Sequence, residues 1–124
     1  MSTFAFIVDD NAVNRKLASA FLQRLGWTVE EFGDANSMLE RLKTVQPDAM
    51  LLDISMPGMS GMEACKQIRR NARWSAIRII AYTAHAMHQD RERFMAAGFN
   101  DVLFKPVSLD AMSQAMGTSG NHTA

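Results

Sequence analysis

Short apolar runs alternate with helix-period segments from one end of this 124-residue chain to the other. No other feature restricts the fold as much. Thr3–Val8, Trp27–Glu31, Ala49–Leu52, Ile77–Tyr82 and Asp101–Phe104 read as strands, most of them apolar throughout, as strands covered on both faces are. Between them, Val13, Leu17, Phe21 and Leu25 recur at a spacing of four, with Arg15, Lys16, Gln23 and Arg24 off that stripe and Gly26 as a stop. Gly33-Asp34 opens a second helix that carries Met38, Leu39, Leu42 and Val45 inward until Pro47 ends it. A third buries Met62, Cys65 and Ile68 and exposes Glu63, Lys66, Arg69 and Arg70. His85–Ala97, stopped by Gly98 with Phe94 and Ala97 facing in, and Ser108–Met116 complete the series.

Strand-then-helix units repeated in this way predict a single α/β domain over residues 1–117, a parallel five-stranded sheet with helices on both faces. Right-handed crossovers favour a doubly wound order of 2-1-3-4-5. Residues 118–124 have turn-formers and nothing to pack, and are expected to fray. Hydrophobic residues make up 48% and charged residues 21%, with zero formal net charge. That balance argues for a packed core and against a field that would attract nucleic acid or a membrane surface. The single cysteine excludes an internal disulfide, and no run reaches the ~18 apolar residues of a membrane span. The expected location is the cytoplasm.

In a doubly wound sheet, ligands bind outside the carboxyl ends of the strands. There the chain places Asp9 and Asp10 after strand 1, Asp53 and then Ser55 after strand 3, Thr83 and Ala84 after strand 4, and Lys105-Pro106 after strand 5. Clustered carboxylates need a proton or a cation between them. Oxygen-only ligands suit Mg²⁺, and the lysine suits a phosphate. Neither a G-x-x-x-x-G-K-[ST] cradle nor a G-x-G-x-x-G turn is present, which argues against a nucleotide and for one small anion beside one divalent cation.

The segments VDDN (8–11), LLDISMPGMSG (51–61), YTA (82–84) and LFKP (103–106), in that order at the ends of strands 1, 3, 4 and 5, resemble the receiver domain of two-component response regulators, a flavodoxin-like (βα)5 fold. The resemblance implies a Mg²⁺-dependent phosphoacceptor that takes a phosphoryl group from a phosphohistidine onto Asp53 and later hydrolyses it by its own chemistry. It implies that Asp10, Asp53 and the backbone carbonyl of Ser55 ligate Mg²⁺, with Asp9 acting largely through a bound water. Thr83 and Lys105 would meet phosphoryl oxygens, the backbone N–H groups of Ser55 and Ala84 would complete the cradle, and Lys105–Pro106 would be a cis peptide. The donor would be a histidine kinase or a histidine-phosphotransfer bundle docking near the first helix, and the output a downstream protein partner. DDNAVNRKLASAFLQRLG and AHAMHQDRERFMAAGFNDVLFKP resemble receivers that work with hybrid sensor kinases in phosphorelays.

Receivers often carry Tyr or Phe three residues before the lysine, coupled to the threonine. Val102 stands there, which removes an aromatic swing, and Phe104 is read as facing the other way. Two rivals stay open: a pseudo-receiver that only binds partners, and a small phosphatase-type enzyme, which would want a second acid where Ser55 stands. Cys65 reads as an inert core thiol, and His85, His88 and His122 as solvated. Met56 and Met59 read as core or as an adaptable docking surface, and Trp74 as a surface anchor or a packing plug.

Overall fold

The computed structural model describes residues 3–84 and 88–116, with backbone alone at 88–89. The predicted tail, His85 and His122, and the His88 side chain lie outside what is described. Its strands are β1 (Phe4–Val8), β2 (Thr28–Phe32), β3 (Ala49–Asp53), β4 (Arg78–Thr83) and β5 (Asp101–Phe104). Its helices are α1 (Ala12–Arg24), α2 (Ala35–Leu42), α3 (Gly61–Arg69), α4 (His88–Ala97) and α5 (Leu109–Met116), with a 3₁₀ turn at Ala72–Trp74. All strand pairs are parallel and the order is 2-1-3-4-5, as predicted.

Side chains alternate across each strand, so the sheet feeds two cores. Phe6, Val8, Met50, Leu52, Ile79, Ala81 and Val102 pack under α2, α3 and α4. Ala5, Ile7, Leu51, Ile80, Tyr82 and Leu103 pack under α1 and α5. β2 is exposed at Thr28 and half-buried from Val29 to Phe32, as its mixed composition requires of an edge strand.

Local chemistry starts the helices where the sequence allows it. Asn11 Oδ1 accepts from the Asn14 N–H (3.0 Å), Asp34 Oδ1 from Ser37 (2.7 Å) and Ser60 Oγ from Glu63 (3.2 Å), each capping donors the helix cannot satisfy itself. Gly26 ends α1 with φ 97°, a conformation that only glycine takes without strain. α2 stops at Leu42, earlier than predicted, and Val45 still packs against the core from the following turn.

The apolar stripe expected on α1 is corrected. Ala18, Ser19 and Leu22 face the sheet, whereas Val13 is 77% and Leu17 39% exposed. A spacing of four drifts by about 40° per step on a helix that turns about 100° per residue, so the early members of that series swing away from the buried face. Arg15 leaves the solvated face expected for it, and so does Arg69. The Arg69 guanidinium donates to the carbonyls of Gly98 (2.9 Å) and Trp74 (3.4 Å) and to Asn100 Oδ1 (2.8 Å), which ties α3 to the turn before β5.

Candidate functional site

Every side chain of the predicted constellation comes from the carboxyl end of a strand, and the register explains their meeting. β3 lies between β1 and β4, and β5 lies beyond β4. Asp53, the last residue of β3, is opposite Tyr82, and Thr83 is opposite Phe104, the residue before Lys105. Rigid strands buried on both faces thus deliver the acids, the hydroxyl and the ammonium to one rim.

Asp9 is fully buried, Asp53 is 2% and Thr83 3% exposed, and Asp10 is at the surface. Asp9, Asp10 and Asp53 each place a carboxylate oxygen within 4.8 Å of the others. Lys105 Nζ bridges the two buried acids, 3.1 Å from Asp9 Oδ2 and 3.3 Å from Asp53 Oδ2, and sits 4.8 Å from the centre of the Tyr82 ring. The Asp9 N–H donates to the Phe32 carbonyl (3.0 Å), and Asp9 Oδ1 accepts from the Asn11 N–H (2.9 Å). The Ser55 N–H donates to Asp53 Oδ1 (3.2 Å). The Lys105 N–H donates to the Thr83 carbonyl (2.9 Å), and Lys105–Pro106 is cis, as the resemblance implied. Ser55 and Ala84 are exposed at the mouth of the site.

Burial pushes Asp53 up to about 6, the Asp9 carboxylate adds to the rise, and Lys105 opposes it. Desolvation and a like charge together outweigh one ammonium, because Lys105 is shared between two acids. The same burial raises Tyr82 to about 12, with Asp9 and Asp53 adding to it.

The donor set fits a hard divalent cation. It is all oxygen, three carboxylates converge, and Asp9 Oδ2 is buried with no hydrogen-bond partner, its Lys105 contact being an ion pair. Asp10 is the member of the cluster that faces solvent.

Gly61 sets how closely α3 approaches this site. Its N–H donates to the Ile54 carbonyl (3.0 Å), and a Cβ there would collide with the backbone carbonyl of Asp53. Gly61→Ala is expected to destabilise the protein by about 2 kcal/mol or more in urea melts, because the obstacle is backbone and cannot rotate away.

The structure decides between the open readings of Met56 and Trp74, bears out that of Cys65 and overturns that of Phe104. Met56 is 8% exposed and belongs to the core, and Met59 packs against it, so the docking-surface alternative falls for Met56. Cys65 is an inert core thiol, its S–H directed at the Ala97 carbonyl (3.6 Å) and its pKa raised to about 11 by burial. Trp74 packs against the core as a plug. Val102 is buried against the α4 side, in register with Ala81. Phe104 was expected on the opposite face. Strand alternation puts residues two apart on one face, so Phe104 is on the side of Val102 and is 53% exposed. A cavity of about 270 Å³ between β5 and α5 has none of the rim carboxylates in its lining.

Sequence reading missed Arg15 and Glu31. The Arg15 guanidinium donates to the Asp9 carbonyl (2.7 Å) and to Glu31 Oε1 (3.2 Å), beneath the acidic pair. Residue spacing gives no signal for a contact that depends on how α1 lies against β2.

Comparison with known proteins agrees with this geometry. Residues 5–117 match the response regulator receiver domain family. The chain is 39% identical over 100 residues to the signal transduction histidine-protein kinase BarA of Escherichia coli K12, covering 81% of this chain and 11% of BarA. It is 37% identical over 116 residues to the sensor histidine kinase AruS of Pseudomonas aeruginosa, covering 92% of this chain and 12% of AruS. The chain thus spans about a tenth of the length of these relatives. Among solved structures, the chemotaxis protein CheY4 of Vibrio cholerae superposes with a TM-score of 0.85 at 24% identity, covering 92% of this chain and 95% of that one. The BeF3-activated DrrB receiver domain gives 0.77 at 25% identity, covering 89% and 90%. This chain belongs to the response regulator receiver domain family of two-component signal transduction.

Proposed function

We propose that the domain is a phosphoacceptor in a phosphorelay, with Asp53 as the residue that carries the phosphoryl group. The observation that supports this most is the bridging of buried Asp53 and Asp9 by Lys105 at the sheet's carboxyl rim. An Asp53 carboxylate oxygen attacks phosphorus as the P–N bond of a phosphohistidine breaks, and the bonding pair stays on the imidazole nitrogen. Such a transfer needs alignment and charge neutralisation more than covalent help. β3 fixes the nucleophile, and Asp53 with a pKa of about 6 is mostly ionised at neutral pH. Lys105 is held where it can move from carboxylate to phosphoryl oxygen without leaving the site. Thr83, with the backbone N–H groups of Ser55 and Ala84, completes the oxygen cradle in this reading.

Asp10, Asp53 and the Ser55 carbonyl would hold Mg²⁺, with Asp9 through water. When bound, Mg²⁺ neutralises charge on the transferring oxygens. Hydrolysis of the aspartyl phosphate returns Asp53 to its resting form. The donor is a histidine kinase or a histidine-phosphotransfer protein. The exposed Val13 and Leu17 on α1, about one and two turns from Asp10, suit an apolar contact with it. Output passes to a downstream protein partner rather than to nucleic acid. The domain would work in the cytoplasm, and no described helix is long and apolar enough to cross a membrane.

Incubation with Mg²⁺ and acetyl phosphate, or with beryllofluoride, is expected to give one adduct on the wild type and none on Asp53→Asn, read by mass spectrometry and ¹⁹F NMR. A wild type that forms neither adduct and binds no Mg²⁺ sinks the proposal.

A further inference from the structure

We propose that Arg15 is a positioning residue for the metal-holding acids, acting through the Asp9–Asp10 peptide. The inference rests on the function proposed above. The Arg15 side chain is 19% exposed and its partner Glu31 22%, so the guanidinium lies in the seam between α1 and β2. Nη1 donates to the Asp9 carbonyl at 2.7 Å while Nε holds Glu31 Oε1 at 3.2 Å. With the Asp9 N–H on Phe32 (3.0 Å), this fixes the Asp9 backbone to β2 at its amide and its carbonyl.

The Asp9 carbonyl and the Asp10 N–H belong to one rigid plane, so pinning that oxygen sets the direction in which Asp10 leaves the strand. Asp10 is the exposed member of the acidic cluster, and among the described residues its side chain makes no hydrogen bond or ion pair, so its direction is left to its backbone. An ordinary ion pair between α1 and β2 does not account for the arrangement. Lys16 already supplies one, 3.3 Å from Glu31 and 71% exposed, without touching Asp9. What Arg15 adds is the hydrogen bond to the peptide, and the planar fork of a guanidinium can make both contacts at once.

Charge and position predict opposite results when Arg15 is removed. A cation near a Mg²⁺ site repels the metal, so charge alone predicts tighter binding in Arg15→Gln. Loss of the clamp predicts weaker binding, by about tenfold, as for other groups that orient metal ligands. The experiment titrates Mg²⁺ into the whole chain and follows backbone amides by NMR, for wild type, Arg15→Gln, Arg15→Lys and Lys16→Gln. Both Arg15 variants are expected to bind about tenfold more weakly and Lys16→Gln to stay within about twofold. A merely destabilised protein keeps the affinity of its folded fraction, so the Kd separates position from stability.

In the metal-free protein, Arg15→Gln should shift the Asp9 and Asp10 amides, and Lys16→Gln should leave them in place. Wild-type or tighter Mg²⁺ binding by Arg15→Gln overturns the inference. If that variant does not fold, Arg15→Lys decides by the same criterion, since lysine keeps the charge and loses the fork. A wild type that binds no Mg²⁺ refutes the function reading instead, and the metal-free amide shifts then decide whether the clamp exists.

Discussion

Asp53→Asn is expected to stabilise the metal-free protein at neutral pH by roughly 2–3 kcal/mol, although it removes the proposed phosphorylation site. Asp53 is buried beside Asp9 and its pKa rises to about 6, so the folded state holds its proton more tightly than the unfolded chain does. The sign follows from linkage. Between the ordinary 3.8 and about 6, the native state carries more protons, and this group's contribution to stability falls as pH rises. The penalty is complete above the folded pKa and absent below the unfolded one. The advantage of the asparagine variant should therefore be full at neutral pH and vanish near pH 4, as denaturant melts in EDTA at several pH values would record. Mg²⁺ should narrow the gap by stabilising wild type more than the variant, which lacks one of the carboxylates. An asparagine variant less stable than wild type at neutral pH would mean that the Lys105 contact outweighs burial and the Asp9 charge.

Replacing Lys105 by alanine should have the opposite effect on stability and a large one on chemistry. Its ammonium is the counter-charge shared by two carboxylates that are 0% and 3% exposed. Removing one partner of a buried pair leaves uncompensated charge and costs about 3 kcal/mol. Part of that loss should return on acidification, as Asp53 takes up a proton, and part on adding Mg²⁺. Phosphorylation of Asp53 by acetyl phosphate at saturating Mg²⁺ should slow by roughly 10²–10³-fold, the usual effect of deleting one aligned donor to a developing oxyanion. Stopped-flow or quench kinetics on the folded variant measure it. A rate near that of wild type would show that Lys105 serves only to hold the resting acids together.

Much of this was legible in the chain. Strand order, both core faces and the charged groups at the rim follow from apolar runs that end on Asp9, Asp53 and Lys105, because side-chain periodicity and crossover handedness are local rules. The α1 stripe was misread because Val13 and Leu17 repeat at four rather than at the mixed three-and-four spacing that keeps to one face. Phe104 was misplaced although alternation alone puts it beside Val102. Met56 and Trp74 were left open, since burial of a loop residue depends on what the rest of the fold brings over it.

The sequence by itself determined which residues reach the carboxyl rim, since each follows directly from a strand whose length and register its own apolar pattern sets. Only the tertiary structure decided the electrostatics there: that Lys105 is divided between Asp9 and Asp53, that burial outweighs it at Asp53, and that Arg15 holds the Asp9 carbonyl from below. The reason is physical. Identity and order are carried along the chain, but desolvation and Coulomb energy depend on distances between groups tens of residues apart, and those distances exist only once the helices have packed on the sheet.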